Sequence, residues 1–301
     1  MNFLCVDDFG RKGIESIFSI ADDLKADGGF RFRRRKTLAL LFEKASTRTR
    51  VSFEAAMAQL GGYSIYIDSR SSQMSRGETV ADTAKVLSSY VDFIAARMYR
   101  HSMLVELSRF SSVPVINALT DLEHPCQALS DLYTIREAKK RIKGLRIAIM
   151  GDIAANTANS LMVGAAMLGA KVSLVGPDSC APNDEYVRKA RKYSKVEVGS
   201  DIKKGLRNAD IVSTDTFVSM GQEDDAERRR EMFMPYQLND QALSYARRNA
   251  SVMHCLPAHR GEEITASVID GRRSIVWRQA KNKLLVEKAI ILYLSKGDSK
   301  R

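Results

Sequence analysis

The sequence predicts an α/β protein of two domains, each a mostly parallel sheet flanked by helices. Short apolar runs alternate with segments of helical periodicity, which is typical of parallel α/β architecture. The 301 residues suffice for two medium-sized domains. The chain contains no repeat, low-complexity tract or Pro/Ser-rich linker.

The first half of the chain contains four predicted strands, at residues 36–42, 63–67, 92–97 and 113–119. Helical patterns separate these strands, near residues 51–60, 79–90 and 103–110. A longer helical pattern near 127–140 leads into the second half. The domain boundary should fall inside this helix or just after it.

The second half contains five predicted strands, at residues 146–151, 171–176, 196–199, 210–215 and 251–256. A final helical pattern begins near residue 279. We therefore expect domains at 1–135 and 136–278, with a last helix within 279–301.

Composition excludes several classes of function. The apolar content of 45% is that of an ordinary globular protein, and no apolar run is long enough to span a membrane. The net charge of +11 is scattered over basic clusters that match no nucleic-acid-binding module, so we interpret 31–36, 139–143 and 228–230 as solvated surface. We expect neither a nucleic acid nor a membrane as partner.

Two further expectations concern location and thiols. The first residues lack the charged start and apolar core of a signal peptide, so we expect a cytoplasmic protein. The four cysteines show no C-x-x-C spacing and should be reduced.

The segment "STRTR", Ser46 to Arg50, joins the first strand to a helix. Ser46 and Thr47 are both candidates for the N-cap. Unpaired N–H groups at a helix start suit a phosphate, and an arginine adds a bidentate partner. The alternative is an ordinary N-cap beside two solvated arginines.

The residues just after the other strands of the first half favour the phosphate interpretation. Ligands of parallel sheets bind beyond the carboxyl ends of the strands. Arginines, hydroxyls, a histidine and glutamines stand at these ends, namely 46–50, Gln73, Arg76, Arg97, His124 and Gln127. Their convergence on one sheet edge predicts a site for a polyanion.

The second half carries acids and amides after its strands, namely Asp152, Asn156, Asp215, 218–221, Cys255 and Leu256. Such groups suit a ligand with an ammonium and polar atoms. A dinucleotide site is not expected, because G-x-G-x-x-G is missing and Asp152 would place a carboxylate against a pyrophosphate. The gap from Asp215 to Ser219 also fits a plain exit from a strand.

Histidine and cysteine allow simpler interpretations. His124 precedes Pro125 and could cap a helix, and Cys126 reads best as an inert core thiol. Zinc held by His124, Cys126, His254 and Cys255 is disfavoured because their spacing matches no standard ligand pattern.

Taken together, these motifs resemble those of the carbamoyltransferase family, over nearly the whole chain. The segments that carry the resemblance are 46–50, 71–90, Arg97, "HPCQ" at 124–127, 151–160, 215–223 and "HCLPAHRGEE" at 254–263. "STRTR" with "HPxQ" marks the wider family, and "SMG" with "HCLP" marks the branch that acts on ornithine. The resemblance implies two domains with the active site in the cleft between them, the last helix returning to the first domain.

The resemblance also implies roles for individual residues. Ser46, Thr47, Arg48 and Thr49 would hold the phosphate of carbamoyl phosphate, Arg97 would bridge phosphate and carbonyl oxygen, and His124 and Gln127 would bind the carbamoyl group. Asn156, Asp215, Ser219 and Met220 would hold the amino-acid end of ornithine, with Cys255 and Leu256 near the reacting amine. Gln73 would reach in from a neighbouring subunit of a homotrimer. Family members need neither a metal nor an organic cofactor.

One position departs from the family pattern. Lys283, in "KNK", stands where the family usually has the arginine of "ENR". By analogy with that arginine, Lys283 would face carbamoyl phosphate. In the alternative interpretation "KNK" is a solvated face, and either Arg278 or no residue takes the role of the arginine. Two further alternatives stay open: a carbamoyltransferase acting on putrescine or lysine, and a nucleic-acid-binding protein.

Overall fold

The computed structural model describes residues 1–27, 30–219, 221–295 and 299–300. It divides into two compact units, Met1–Ser130 with Lys283–Arg301 (unit 1) and Asp131–Asn282 (unit 2). The predicted boundaries fall inside the same two helices as these, Pro125–Lys139 and Val276–Leu294. None of the described helices is both long and apolar enough to cross a membrane.

Unit 1 is built on four parallel strands in the order β3-β2-β4-β5. Its described elements are α1 (Gly10–Asp27), β1 (Arg31–Phe32), β2 (Thr37–Phe42), α2 (Thr47–Gln59), β3 (Tyr63–Asp68), α3 (Val80–Tyr90), β4 (Phe93–Arg97), α4 (His101–Phe110), β5 (Val115–Leu119), the start of α5 (Pro125–Lys139) and, at the end of the chain, most of α12 (Val276–Leu294) and β11 (Ser299–Lys300). Strands β1 and β11 pair antiparallel.

Unit 2 is built on five parallel strands in the order β10-β9-β6-β7-β8. Besides the end of α5 and the start of α12, its described elements are β6 (Arg146–Met150), α6 (Asn156–Met167), β7 (Lys171–Val175), α7 (Asp184–Arg191), β8 (Val196–Gly199), α8 (Ile202–Leu206), β9 (Ile211–Thr214), α9 (Ala226–Phe233), α10 (Asp240–Ser244), β10 (Ser251–His254) and α11 (Ala266–Ile269).

The predicted fold class is confirmed in both units. Strand β2 illustrates the reason: from Leu38 to Phe42 every residue is buried, as expected of a central parallel strand covered on both faces. The predicted strands of both halves are present, with ends that differ by up to two residues. The four cysteines are free thiols, as predicted.

Helix α1 is an element that the sequence patterns above do not include. It buries Ile14, Ile17, Phe18 and Ala21, which lie at helical spacing. The signal was therefore present in the sequence and was missed.

Candidate active site

The "STRTR" segment of unit 1 is a strand-to-helix turn, and Ser46 is its N-cap. Ser46 has extended backbone angles (φ −151°, ψ 109°), and its Oγ accepts a hydrogen bond from the Thr49 N–H at 3.4 Å. Thr49 is buried, whereas Thr47 and Arg48 are exposed. The first N–H groups of α2 lack partners inside the helix and give this end of it partial positive charge. The turn therefore offers hydroxyls, N–H groups and the exposed guanidinium of Arg48.

Arg50, in the same turn, is engaged elsewhere on the surface. Its Nε donates to Glu54 at 2.9 Å, and its guanidinium lies 3.9 Å from the centre of the Tyr66 ring. The two arginines of the segment thus differ in their contacts. The interpretation as a surface arginine without a role in a phosphate site applies to Arg50.

Strand register brings the turn and Arg97 to the same sheet edge. Phe42, the last residue of β2, is paired with Arg97, the last residue of β4. The Glu43 N–H donates to the Arg97 carbonyl at 2.9 Å. A register shift between Ala96 and Arg97 then pairs Arg97 with Leu119 of β5. Such irregularities re-aim side chains next to functional sites.

His124 and Gln127 lie at the start of α5 and are both buried. The His124 carbonyl accepts the Ala128 N–H at 3.1 Å, so the residue caps the helix through its backbone. Burial, followed by the charges of Lys283 and Arg97, holds the pKa of His124 well below its usual range. The imidazole is therefore neutral, and both cations act on it.

Lys283 is buried in unit 1, so the interpretation of "KNK" as a solvated face is wrong. Its Nζ donates to Gln127 Oε1 at 3.1 Å and lies 3.8 Å from Glu287 Oε1. Arg278, the alternative candidate, is exposed. The physical reason is that α12 presents positions 283 and 287 to the interior, where Gln127 already lies.

Asn282, the residue before Lys283, is buried in unit 2. Its Nδ2 donates to Thr134 Oγ1 at 3.0 Å and to Glu137 Oε2 at 2.6 Å. Helix α12 is therefore held to α5 by specific polar contacts around position 283.

Gln73 lies apart from this group. It is exposed on a short 3₁₀ turn, Gln73–Arg76, and lines a small cavity with Ile67, Thr83 and Val86 among others. No hydrogen bond among the described residues attaches its side chain to the sheet edge that carries Arg97. Within one chain, then, the structure leaves Gln73 outside the cluster of predicted residues.

In unit 2, Asp215 is the centre of a second group. Its carboxylate accepts hydrogen bonds from Thr157 Oγ1 and Cys255 Sγ, each at 2.8 Å. The pairing of Thr214 with His254 places the ends of β9 and β10 side by side, which explains the contact with Cys255. Asn156 starts α6 one residue before Thr157. Thr157 was not among the predicted residues, although it stands in the segment "GDIAANTANS".

A buried hydrogen-bond chain fixes the loop that carries Leu256. The Leu256 N–H donates to His254 Nδ1 at 2.9 Å, so the ring proton is on Nε2, which donates to Glu263 Oε1 at 3.1 Å. Leu256 has a φ of +61°, in the left-handed region that β- and γ-branched side chains seldom adopt. His254 and Glu263 are thus positioning residues that sequence reasoning missed, and only their place in "HCLPAHRGEE" could have indicated them.

The remaining predicted residues of unit 2 are Ser219 and Met220, which follow β9 in the sequence. Ser219 is half-buried, and its N–H donates to Gln222 Oε1 at 3.0 Å. Met220 lies outside the described residues.

Arg229 corrects the prediction that residues 228–230 are solvated surface. Its Nη2 pairs with buried Asp152 at 2.5 Å, and its Nε donates to the Phe217 carbonyl at 2.9 Å. Arg229 therefore ties the loop after β6 to the loop after Asp215. Burial raises the pKa of Asp152, and Arg229 opposes that shift.

Three groups in the described part of the chain have potential metal-ligand atoms within 4.8 Å of one another: Asp215, His254 and Cys255; Cys5, Asp7 and Asp8; and His259, Glu262 and Glu263. In the first group, both His254 nitrogens and the Cys255 thiol already make hydrogen bonds within the protein, to Leu256, Glu263 and Asp215. These atoms hold the loops of unit 2 in place.

Comparison with known proteins agrees with both units. The family model of the carbamoyl-phosphate-binding domain of aspartate/ornithine carbamoyltransferases matches residues 1–137, and that of the Asp/Orn-binding domain matches residues 143–294. The chain belongs to the aspartate/ornithine carbamoyltransferase family, which confirms the resemblance drawn from its motifs.

Within this family, the chain is similar to ornithine carbamoyltransferases. The chain is 46% identical to an ornithine carbamoyltransferase of Picrophilus torridus over 286 residues, covering 93% of this chain and 95% of the relative. It is 44% identical to that of Bacillus subtilis, covering 100% and 96%. Among solved structures, the ornithine carbamoyltransferase of Pyrococcus furiosus matches with a TM-score of 0.93 and 43% identity, covering 99% of this chain and 97% of that one.

Proposed function

We propose that this protein transfers the carbamoyl group of carbamoyl phosphate to the side-chain amine of L-ornithine, giving L-citrulline and phosphate. The observation that carries the proposal is the cluster of Arg97, His124, Gln127 and Lys283 at the sheet edge where the "STRTR" turn also lies. This edge offers cations and neutral donors, which is what an acyl phosphate, with its phosphate and its carbonyl oxygen, requires. The ornithine carbamoyltransferases similar to this chain support the same substrates.

Carbamoyl phosphate binds to unit 1 in this proposal. The N-terminus of α2, with Ser46, Thr47 and Thr49, and the guanidinium of Arg48 hold the phosphate. The remaining cluster, Arg97, His124, Gln127 and Lys283, surrounds the carbamoyl group and the bridging oxygen.

Ornithine binds to unit 2. Its α-ammonium pairs with Asp215, and its amino-acid end is held by Asn156, Ser219 and Met220. Cys255 and Leu256, fixed by the contacts to Asp215 and His254, lie near the reacting amine.

The chemistry depends on these groups. The neutral amine attacks the carbonyl carbon, and a tetrahedral oxyanion forms. Arg97, Thr49 and His124 donate to that oxyanion, which is usually the largest catalytic contribution in such sites. The bond from carbon to the phosphate oxygen then breaks, and phosphate leaves with the electron pair, stabilised by Arg48. The departing phosphate takes up the proton that the attacking nitrogen loses. The reaction requires no nucleophilic side chain.

A homotrimer completes the proposal, with Gln73 supplied to the site of a neighbouring subunit. Its support is an exposed apolar surface along the β3 edge of unit 1: Tyr63 and Ile65 are 55% and 50% exposed, and Val86 and Tyr90 of α3 are 46% and 74% exposed. Solvent-exposed parallel edge strands with such side chains are typical of interfaces. Light scattering of the purified protein tests the trimer.

An assay of carbamoyl transfer tests the function and its alternative. Purified protein is given carbamoyl phosphate with ornithine, putrescine or lysine, and the carbamoylated amine and phosphate are measured. The proposal predicts citrulline in stoichiometric amount with phosphate, and kcat/KM for ornithine far above those for the other amines. Preference for putrescine or lysine would favour the alternative acceptor.

A further inference from the structure

Glu287 is a buried carboxyl that the proposed mechanism does not use. It lies one turn beyond Lys283 on α12, is fully buried, and has Oε1 3.8 Å from Lys283 Nζ. That distance is within ion-pair range but too long for a hydrogen bond. The ammonium donates a hydrogen bond to Gln127 Oε1 at 3.1 Å. Lys283 thus lies between Gln127, a proposed ligand of the carbamoyl group, and a carboxyl behind it.

Among the groups that interact with Glu287, Lys283 carries a charge, whereas Ser52 and Cys126 are neutral. Ser52 of α2 presents a hydroxyl, Lys283 is on the same helix, and Cys126 faces it from α5. Burial raises the pKa of Cys126, so that thiol stays protonated. His124, beyond Lys283, is neutral because its pKa is lowered.

A buried ammonium without a counter-charge is costly, and it is more so beside another cation. The site already contains Arg97 and the positive end of α2. When no substrate is bound, the carboxylate of Glu287 is the group placed to compensate Lys283.

We propose that Glu287 is the resident counter-ion of Lys283 in the ligand-free site, and that carbamoyl phosphate competes with it for the ammonium. This inference rests on the proposed function. It makes Glu287 a positioning residue that tunes substrate affinity through Lys283 and does not touch the substrate.

The proposal has a consequence for pH dependence. Burial raises the pKa of Glu287 to about 7, and Lys283 opposes the shift. Near pH 6 the carboxyl is mainly protonated and leaves the ammonium to the substrate, whereas near pH 8.5 it is charged, competes for Lys283 and repels the phosphate. Binding of carbamoyl phosphate near pH 7 should therefore take up a proton at Glu287.

Calorimetry on wild type and Glu287→Gln tests this inference with carbamoyl phosphate as the probe. At pH 8.5 the variant should bind about fivefold more tightly or better, since a nearby like charge has been removed. At pH 6 the affinities of the variant and the wild type should converge. Because the ionisation of carbamoyl phosphate affects both proteins equally, it does not change the ratio of their affinities. Titrations at pH 7 in two buffers of different ionisation enthalpy should show proton uptake in wild type that the variant lacks.

Two further variants serve as controls. In a Lys283→Gln background the Glu287→Gln change should have little effect, because without the ammonium the buried carboxyl is already protonated. Glu54→Gln, which alters an exposed carboxylate on α2, should bind as wild type does. Should Glu287→Gln fail to fold, the wild-type proton uptake and its loss in Lys283→Gln still decide the question.

The inference is overturned if Glu287→Gln binds carbamoyl phosphate equally or less tightly at pH 8.5, or if its ratio to wild type is flat across pH. A merely structural carboxyl would give that result. Failure of the proposed function looks different: carbamoyl phosphate would then not bind to wild type at either pH.

Discussion

The ammonium of Lys283 donates a hydrogen bond to Oε1 of Gln127 across 3.1 Å, so a residue of the last helix joins the cluster at the start of α5. Lysine retains the positive charge of the family arginine but lacks its planar fork. Its Nζ also has an acidic neighbour, Glu287, whose Oε1 lies 3.8 Å away. These contacts determine what substitution at position 283 should do.

Lys283→Ala should weaken carbamoyl phosphate binding about tenfold, the loss of one charge-assisted contact. Lys283→Arg should leave binding unchanged or tighten it, because the fork is restored. Titration of carbamoyl phosphate into each variant measures both effects. Lys281→Ala is the matched control, since Lys281 is exposed on the same helix. If Lys283→Ala binds like wild type, Lys283 does not belong to the site.

Asp215→Asn should raise the KM for ornithine at least about tenfold and change the KM for carbamoyl phosphate little, because the lost charge pairs with the α-ammonium. Steady-state kinetics with each substrate varied in turn measures the split. Asp210→Asn is the control: Asp210 precedes β9, whereas Asp215 comes after it, so the two carboxylates lie at opposite ends of one strand. Equal effects on both substrates would argue that Asp215 only supports the fold.

The rate at subsaturating ornithine should climb from pH 6 toward about pH 8 or 9, since an ammonium has no lone pair and a lysine-like amine has a pKa near roughly 10.4. His124 does not contribute a step in this range, because its lowered pKa leaves it neutral throughout. Initial rates across the range, measured with carbamoyl phosphate saturating so that the titration of Glu287 does not affect them, provide the check. A flat profile would contradict attack by amine that is deprotonated before binding.

Mixtures of Gln73→Ala and Arg48→Ala subunits should regain activity if Gln73 acts in the site of a neighbour, because some assembled sites then contain neither change. Activity is measured before and after subunit exchange, and exchange is verified with differently tagged chains. In a control mixture, Ser75→Ala, which alters an exposed residue of the same turn that has no proposed role, replaces Gln73→Ala. No recovery after verified exchange would indicate a self-contained subunit.

Local rules in the sequence predicted much of unit 1. The apolar run predicted where β2 ends, and Ser46 predicted the N-cap of α2. Both signals depend on only a few neighbouring residues. The collection of "STRTR" and Arg97 at one edge results from parallel pairing, which the structure gives as Phe42 opposite Arg97.

Contacts between residues distant in sequence were not predictable in this way. Lys283 and Gln127 are 156 positions apart, and Arg229 and Asp152 are 77 apart. In both cases a cation that resembles surface charge in the sequence is buried (Lys283) or half-buried (Arg229) against a partner from another element. A run of basic residues in the sequence therefore does not show that each of its side chains is solvated, because one of them can face the protein interior.

The central claim is that the "STRTR" turn is a phosphate site, and the most direct test compares its two arginines. Carbamoyl phosphate is titrated into wild type, Arg48→Ala and Arg50→Ala by calorimetry, and citrulline formation is measured on the same preparations. Arg48→Ala should lose about a hundredfold or more in affinity, with a matching loss of turnover, because a bidentate charge-assisted contact disappears. Arg50→Ala should stay within about threefold of wild type, since Arg50 contacts Glu54 and Tyr66 on the surface. If both variants bind and turn over carbamoyl phosphate like wild type, the turn is an ordinary helix cap and the claim fails.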